Sequence, residues 1–235
     1  MATLTANALI NRAAKLLQDE THVRWPRVEL LDWLNDGQRV IALMLPDAYT
    51  TMGAVTATSA KQTTFDLATN AATSTAVRLV DVLHNTAGNQ RAVRQIDRAV
   101  LDAQYPNWRN DTAGSEAKHF SFDKRNPKVF YLYPPLSTGS GVQVVYSAAP
   151  EAITVASDSS TETIKLDDVY GSALVDFMVY RAYLKDAEYA ANDTRSNGAY
   201  QTFISSLTGK RAADEFAVPS EQVTIAGVRH TPYRQ

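Results

Sequence analysis

The residue types that most often carry catalysis or bind metals are few in this sequence and do not cluster. The four histidines are His22, His84, His119 and His230, and their spacing fits no zinc-binding motif such as H-E-x-x-H. The 235-residue chain contains no cysteine, which excludes disulfides, thiolate metal sites and cysteine nucleophiles. No G-x-S-x-G motif marks a serine nucleophile. We therefore predict a protein without catalytic residues, metal or cofactor.

Two short motifs contain residue types suited to chemistry but have simpler structural explanations. Thr208-Gly209-Lys210 is similar to the end of a phosphate-binding loop, but it lacks the upstream glycine and lies within a helical pattern. Asp167 and Asp168 would form a carboxylate pair, yet Asp167 is sufficiently explained as the N-cap of the helix that follows. We interpret both motifs as structural.

The charge pattern argues against a nucleic-acid-binding protein. The chain carries 23 basic and 25 acidic side chains, spread along its length, for a net charge of -2. It therefore lacks the basic patch that phosphate binding requires. The one local basic cluster is Lys124, Arg125 and Lys128. Two interpretations remain for it: a solvated turn between strands, or a contact with the acidic rim of a partner protein.

The segment from Trp25 to Ala48 has the clearest helical pattern. Pro26 suits the first turn of a helix, and Pro46 ends it. Apolar residues recur at steps of three and four along one face, namely Leu30, Leu34, Ile41 and Leu45. A helix face as apolar as this one must pack against other helices.

Three further segments predict helices that supply these partners. The first runs from Thr5 to about Asp19, the second begins at Asp167, and the third follows a break at Asn192 to Thr194 and ends near Ala213. We predict an α+β fold in which the N- and C-terminal helix pairs form a four-helix bundle around an inserted antiparallel β-rich domain. The predicted divisions are residues 1–48 and 167–215 for the bundle, 49–166 for the β-rich domain, and 216–235 for an extended C-terminal arm.

The β-rich middle contains alternating patterns of apolar and polar residues. Val77, Leu79 and Leu83 predict one strand, and Ile153 with Val155 predicts another. The most distinct pattern is a hairpin from Asp123 to Tyr146, in which Pro134 to Gly141 form the loop.

Residues 216–235 have too little apolar area to fold alone, and their prolines exclude a helix. Two interpretations remain open. The segment is either a frayed terminus or an arm that becomes ordered against a neighbouring molecule. In the second case its candidate binding residues are Phe216, Val218, Val223, Ile225, Val228, Arg229 and Tyr233.

Several motifs resemble, as a set, those of bacteriophage head-to-tail adaptor proteins. The opening signature consists of Trp25, Leu30-Leu31-x-Trp33-Leu34-Asn35-Asp36-x-Gln38 and Leu45-Pro46-Asp47-Ala48. Three later stretches follow in the order that the family has: Leu101-Asp102-x-x-Tyr105-Pro106-x-Trp108, Asp123-x-x-Asn126-Pro127-x-x-Phe130-Tyr131-Leu132-Tyr133-Pro134-Pro135, and Tyr170-x-x-Ala173-Leu174-Val175-Asp176 with Tyr180-Arg181-Ala182 and Asp186. The resemblance spans Arg24 to Ala213, and His84 stands where the family usually has arginine before Asn85.

The resemblance implies a non-enzymatic structural virion protein at the head-tail junction, assembled in the host cytoplasm. It implies a ring of about twelve copies that joins the portal protein to the tail or nozzle protein and lines the DNA exit channel. DNA would pass without sequence-specific binding, no membrane is involved, and the C-terminal arm would hold the portal. The alternatives are another neck or tail-completion protein of a phage or, from other classes, a hydrolase or a nucleic-acid-binding protein.

Overall fold

The computed structural model describes residues 2–123, 125–154, 157, 159–186 and 190–217. Over these residues the predicted α+β class is confirmed, with five helices and two sheets. The helices are α1 (Ala6–Leu16), α2 (Arg27–Met44), α3 (Arg98–Gln104), α4 (Gly171–Lys185) and α5 (Ala190–Ala217). The strands are β1 (Thr50–Thr56), β2 (Gln62–Asp66), β3 (Ala76–Asn85), β4 (Arg94–Gln95), β5 (His119–Phe122), β6 (Val129–Leu136) and β7 (Gly141–Ala148).

The chain divides into two compact units. The helical unit contains the residues up to Gly37 together with those from Ile153 onward, and the β unit runs from Gln38 to Ala152. Helix α2 contributes to both.

Helix α1 in the helical unit is held at both ends by side chains that accept backbone hydrogen bonds. Thr5 is the N-cap, and its hydroxyl oxygen accepts from the Ala8 N–H at 3.2 Å. Beyond the helix, the Asp19 carboxylate accepts from the N–H groups of Val23 and Trp25 at 3.0 and 2.9 Å. The bonds to Asp19 fix the short link that leads into α2.

The beginning of α4 is tied to the N-terminus of the chain. Asp167 caps the turn before α4 by accepting from the Val169 N–H at 3.1 Å, which confirms its predicted capping role. Asp168 accepts from the Thr3 and Leu4 N–H groups at 2.8 and 2.9 Å. The two carboxylates therefore stabilise helix and chain termini rather than forming a reactive pair.

Helices α4 and α5 pack through buried aromatic side chains. The ring centroids of Phe177 and Phe203 are 5.2 Å apart. The predicted helix break at Asn192 to Thr194 is wrong, because Asn192 lies in the first turn of α5 and donates to the Asp186 carbonyl at 3.2 Å. An asparagine that favours a break in sequence is here the residue that bonds back to the end of α4.

Helix α5 also continues past its predicted end near Ala213 to Ala217. Phe216 therefore lies in its last turn, not in an extended arm.

Helix α2 packs closely against α4 at Gly37. A Cβ at Gly37 would lie 3.0 Å from Phe177 Cδ1 and 3.1 Å from Leu174 Cδ2, so a larger residue would force these side chains apart. Two residues earlier, the buried Asn35 side chain donates to the Ile153 carbonyl at 3.0 Å and accepts from its N–H at 2.9 Å. Ile153 therefore bonds to a helix side chain, and the predicted strand at this point is wrong; Val155 lies outside the described residues.

The β unit contains one sheet of three strands, in the order β1-β7-β3, and one of four strands, in the order β2-β6-β5-β4. Only the β4–β5 pair is parallel. The predicted hairpin of β6 with β7 is wrong, since these strands belong to different sheets. Both edges of β6 are occupied by β2 and β5, and β7 instead pairs with β1 and β3. The apolar core of the unit includes Phe65, Phe130, Leu132, Val142 and Val144.

Strand β3 does not follow the alternation that its sequence predicts. Its buried residues are Ala76, Leu79, Val82 and Asn85, one in every three. Three register shifts against β7 fall between these positions, and each bulge moves the next apolar side chain back to the core face. Val77 consequently lies at the surface.

Candidate protein-binding surfaces

The predicted basic cluster lies at the turn between β5 and β6. Asn126 N–H donates to the Asp123 carbonyl at 2.9 Å, and the Pro127 and Lys128 carbonyls accept from Leu79 and Leu67 of the neighbouring segments at 2.8 and 3.0 Å. The turn is therefore held from both sides. Arg125 is exposed and Lys128 is half-buried, while Lys124 lies outside the described residues.

This turn separates two cavities of opposite character, and the Phe122 side chain lines both. One has a volume of about 320 Å³ and is mainly apolar; it is lined by Ala42, Leu43, Pro46, Val77, Arg78, Phe122, Pro127 and Ser147. The other is a wider charged cleft of about 730 Å³, lined by residues that include Arg98, Asp102, Asp123 and Arg125. An apolar anchor beside a charged rim is the usual composition of a protein-binding surface.

The rim of the apolar cavity carries large side chains that a solitary protein would normally bury. Leu43, at the end of α2, is 72% exposed, and Val77 is 36% exposed. The Ser147 hydroxyl on the cavity wall is buried and has no hydrogen-bond partner among the described residues. A partner that covers this cavity would bury apolar area and could satisfy that hydroxyl.

Sequence reasoning missed this surface, although one signal was present. Ala42, Leu43, Met44 and Leu45 follow one another, so the last turn of α2 is apolar on every face. Apolar residues around a whole turn indicate burial on more than one side. Leu43 falls outside the predicted stripe and is the residue most open to solvent in this turn.

Next to the charged cleft, aromatic and charged side chains form a packed cluster. Trp108 is buried, and its indole N–H donates to Asp102 Oδ1 at 2.7 Å. The Tyr105 and Tyr133 rings stack with centroids 6.3 Å apart. Burial and a hydrogen bond to the Asp111 carboxylate raise the pKa of Tyr133. The aromatic residues here are packed against one another and against carboxylates, an arrangement that does not suit the stacking of nucleic-acid bases.

The helical unit contains a third cavity, of about 450 Å³, between the beginning of α4 and the last turns of α5. We call it the α4–α5 groove; its walls are Val169, Tyr170, Ser172, Ala173, Ser206, Leu207, Lys210 and Ala213. The Lys210 ammonium lies 5.5 Å from the centroid of the Tyr170 ring. Val169 is 59% exposed, so the groove offers apolar surface at its mouth.

The residues singled out for chemistry are not brought together in the part of the chain that is described. Here, no group of three or more histidine, aspartate or glutamate side chains is placed to hold a metal ion. His84 Nδ1 lies 2.9 Å from the Asn85 carbonyl, and His22 Nε2 lies 2.8 Å from an Arg27 nitrogen. Thr208-Gly209-Lys210 lies inside α5. Among the described helices none is long and apolar enough to cross a membrane.

The remaining predicted binding residues fall in or beyond the end of α5. Phe216 lies in its last turn. The others lie outside the described residues, namely Val218, Val223, Ile225, Val228, Arg229 and Tyr233.

Comparison with known proteins identifies one family. A family model described as SU10 adaptor protein matches residues 4–223, which is most of the chain. No curated protein matches the sequence.

Proposed function

Because the chain belongs to the SU10 adaptor protein family, a family of phage head-to-tail adaptors, we propose that it forms a ring that joins the portal protein to the tail machinery and lines the DNA exit channel. The ring would contain about twelve copies. The role is adhesive and non-enzymatic, and the protein is a component of the virion. The observation that carries the proposal is the family match over residues 4–223.

The arrangement of surfaces supports a different binding role for each of the two units. In this proposal the helices α1, α2, α4 and α5 close as a four-helix bundle, and the bundles pack side by side as the wall of the ring. The β unit acts as an inserted domain that meets the tail or nozzle protein, and residues 218–235 act as an arm that holds the portal. The exposed Leu43 and Val77 in the wall of the apolar cavity support a protein partner for the β unit.

Many modest contacts of this kind become strong in a closed ring. Once one subunit engages, the effective concentration of its neighbours at their own sites rises, and the total affinity exceeds that of any one contact. The small net charge of -2 also suits a channel for DNA, since a basic lumen would hold the phosphates.

Sedimentation of the purified protein with and without purified portal protein tests the proposal. We expect the protein alone to sediment as a small species and to co-sediment with the portal as a ring. Co-sedimentation with tail tube and not with portal would contradict the proposal and favour a tail-completion protein. Retention on DNA that weakens with salt, or hydrolysis of a cell-wall polymer by the isolated chain, would contradict it in favour of the other classes.

A further inference from the structure

Strand β1 is paired with β7 along one edge only, and no described strand pairs with its other edge. Two hydrogen bonds show which of its residues turn towards β7. The Ala57 N–H donates to the Ser140 carbonyl at 2.7 Å, and at the other end of the strand the Tyr49 carbonyl accepts at 3.1 Å from β7. Because backbone groups point to alternate sides along an antiparallel strand, the odd-numbered residues of β1 bond to β7 and the even-numbered ones face the other edge.

The even-numbered residues are Thr50, Met52, Ala54 and Thr56, and all four are exposed. Among the described residues, no group forms a hydrogen bond with the backbone N–H and C=O groups that these four turn outward. The outward residues repeat about every 6.7 Å along the strand. The backbone of a second extended segment supplies donors and acceptors at this spacing, so the partner that fits this edge is another strand.

The other strand edges that the structure describes are interrupted or covered. Strand β3 has three register shifts, and its Leu83 carbonyl accepts from the Val93 N–H at 3.0 Å. On β2, the Gln62 side chain donates to the Thr64 carbonyl at 3.1 Å, and β4 has only two residues. Strand β1 has seven residues in unbroken register with β7, and none of them is charged or proline. Such a regular, uncharged edge readily pairs with a further strand.

We propose that β1 pairs antiparallel with β1 of a second copy of this chain, about a two-fold axis beside Gly53. The pairing joins three strands from each copy into one continuous sheet. In this register Thr50 lies opposite Thr56 of the second copy, and Met52 lies opposite Ala54.

The sequence of β1 is complementary to itself in this register. All four outward residues exchange hydrogen bonds in pairs, and any shift along the strand would leave one of them without a partner. Threonine meets threonine, and the large Met52 side chain meets the small Ala54, without like charges across the contact. A two-fold contact requires such self-complementarity, because the same patch serves on both copies.

The inference goes beyond the proposed function and concerns the protein before assembly. Neighbouring subunits of a cyclic ring contact each other through two different patches, whereas a two-fold contact uses one patch twice. The paired β1 strands would therefore cover the open edge in the free protein, and they would separate when the ring forms.

Sedimentation equilibrium of the full-length protein, without portal, tests the pairing independently of the ring. We expect a monomer–dimer equilibrium. Ala54→Pro should raise the dissociation constant of the dimer at least about tenfold, because it removes one outward N–H from each copy and leaves the bonds to β7 in place. Ala54→Ser keeps this N–H and is the matched control. A protein that stayed monomeric at every concentration, or equal dimerisation of the two variants, would overturn the inference.

Disulfide crosslinking tests the register without a proline. The chain has no cysteine, so Met52→Cys and Ala54→Cys each carry a single thiol. When the two variants are mixed, the thiols lie in a hydrogen-bonded pair with Cα atoms about 5.5 Å apart, a separation that a disulfide spans. In either variant alone the two thiols are diagonal neighbours, about 7–8 Å apart, which exceeds the usual span.

On mild oxidation, we expect covalent dimers to form at least about tenfold faster in the mixture than in either variant alone. The readout is a non-reducing gel, with equal urea midpoints of the reduced variants as the check of folding. Equal rates in the mixture and in the separate variants would overturn the inference, because a dimer formed through another surface would not distinguish them.

Discussion

Asn85 is a buried side chain whose hydrogen bonds join three parts of the β unit. Its amide donates to the Arg91 and Ala117 carbonyls at 2.7 and 2.9 Å, and its carbonyl oxygen accepts from the Ala117 N–H at 2.7 Å. Both Asn85 and Ala117 are fully buried. The side chain thus replaces backbone pairing at the end of β3, where water cannot reach the same groups.

Substitution of Asn85 should lower the stability of the protein. Asn85→Ala would leave the buried Ala117 N–H and C=O without partners, at about 1–3 kcal/mol each, so we expect the free energy of unfolding to fall by at least about 2 kcal/mol. The measurement is the urea midpoint. Asn126→Ala, in the exposed turn between β5 and β6, is the control and should change it little. A similar midpoint for both variants would show that the amide of Asn85 does not hold the unit together.

From the contacts of Asp168 we predict how the stability of the folded protein depends on pH. Its hydrogen bonds to the Thr3 hydroxyl and to the Leu4 N–H lower the pKa of this carboxyl below its ordinary value of 3.8. A group whose pKa is lower in the folded chain stabilises it above the unfolded pKa and loses that contribution as the pH falls through the folded pKa. Asp168→Asn should therefore be less stable than the unaltered protein at pH 7.

The difference in stability between these two proteins should narrow as the pH falls below about 4. Urea denaturation at a series of pH values measures it. The matched control is Glu151→Gln, which removes an exposed carboxylate. A difference that stayed constant down to the lowest pH would contradict the role assigned to the Asp168 charge.

At the scale of elements, the sequence predicted helices better than strands, and β3 shows why. Val77, Leu79 and Leu83 have a period of two, yet the core receives Ala76, Leu79, Val82 and Asn85. A bulge inserts one residue and exchanges the faces of the strand, and nothing in the local sequence marks where it occurs. The pairing of β7 with β1 and β3 could not be predicted from the sequence either, because it depends on which strand edges remain unpaired as the chain folds.

The helical elements were predictable because their signals are local. The Asp167 cap, predicted from the sequence, accepts a hydrogen bond from the turn that it precedes, and Thr5 and Asp97 cap α1 and α3 in the same way. The error at Asn192 has the same origin, since a side chain that bonds to backbone favours both a break and a first turn.

Of the candidate binding site, only the basic turn could be predicted. The apolar cavity next to it is formed by α2, β3 and β7 together, and no single segment displays it.

Because of the bulges in β3, we predict that the same substitution affects stability differently at two valines of this strand. Val82→Asp would bury an uncompensated charge, since Val82 is 1% exposed, and we expect a loss of about 3 kcal/mol or more of stability. Val77→Asp should change the stability by less than about 1 kcal/mol but weaken binding of the tail-side partner, because Val77 lines the apolar cavity. The measurements are urea midpoints and the retention of a tail fraction on the immobilised protein. Equal stability losses at both positions would contradict the observed register of β3.

The basic turn tests whether charge contributes to the same contact. The triple variant Lys124→Glu, Arg125→Glu and Lys128→Glu should leave the fold intact and reduce the association rate with the tail-side partner, and the reduction should shrink at high salt. Surface plasmon resonance at two salt concentrations measures this rate. If the variant associated as fast as the unaltered protein at low salt, the interpretation as a solvated turn would hold instead.

At the scale of the whole molecule, the two units predict separable attachments. Contact with the portal is assigned to the residues beyond α5, and contact with the tail to the turn and the apolar cavity of the β unit. Since these surfaces lie in different units, damage to one should leave the other functional. A protein that acted by catalysis would instead lose its activity as a whole when a single site was damaged.

Removal of residues 218–235 provides the sharpest test of this separation, because α5 ends at Ala217 and the truncated chain keeps every described helix and strand. We expect its urea midpoint to match that of the full chain within about 0.5 kcal/mol of stability, and its binding to the tail-side partner to be unchanged. Its co-sedimentation with portal should be lost. Val77→Asp is the reciprocal variant, which should bind portal and fail with the tail. Normal portal attachment by the truncated chain would contradict the arm hypothesis, whereas loss of both attachments with an unchanged fold would mean that the two contacts form only together, as neighbours in an assembled ring.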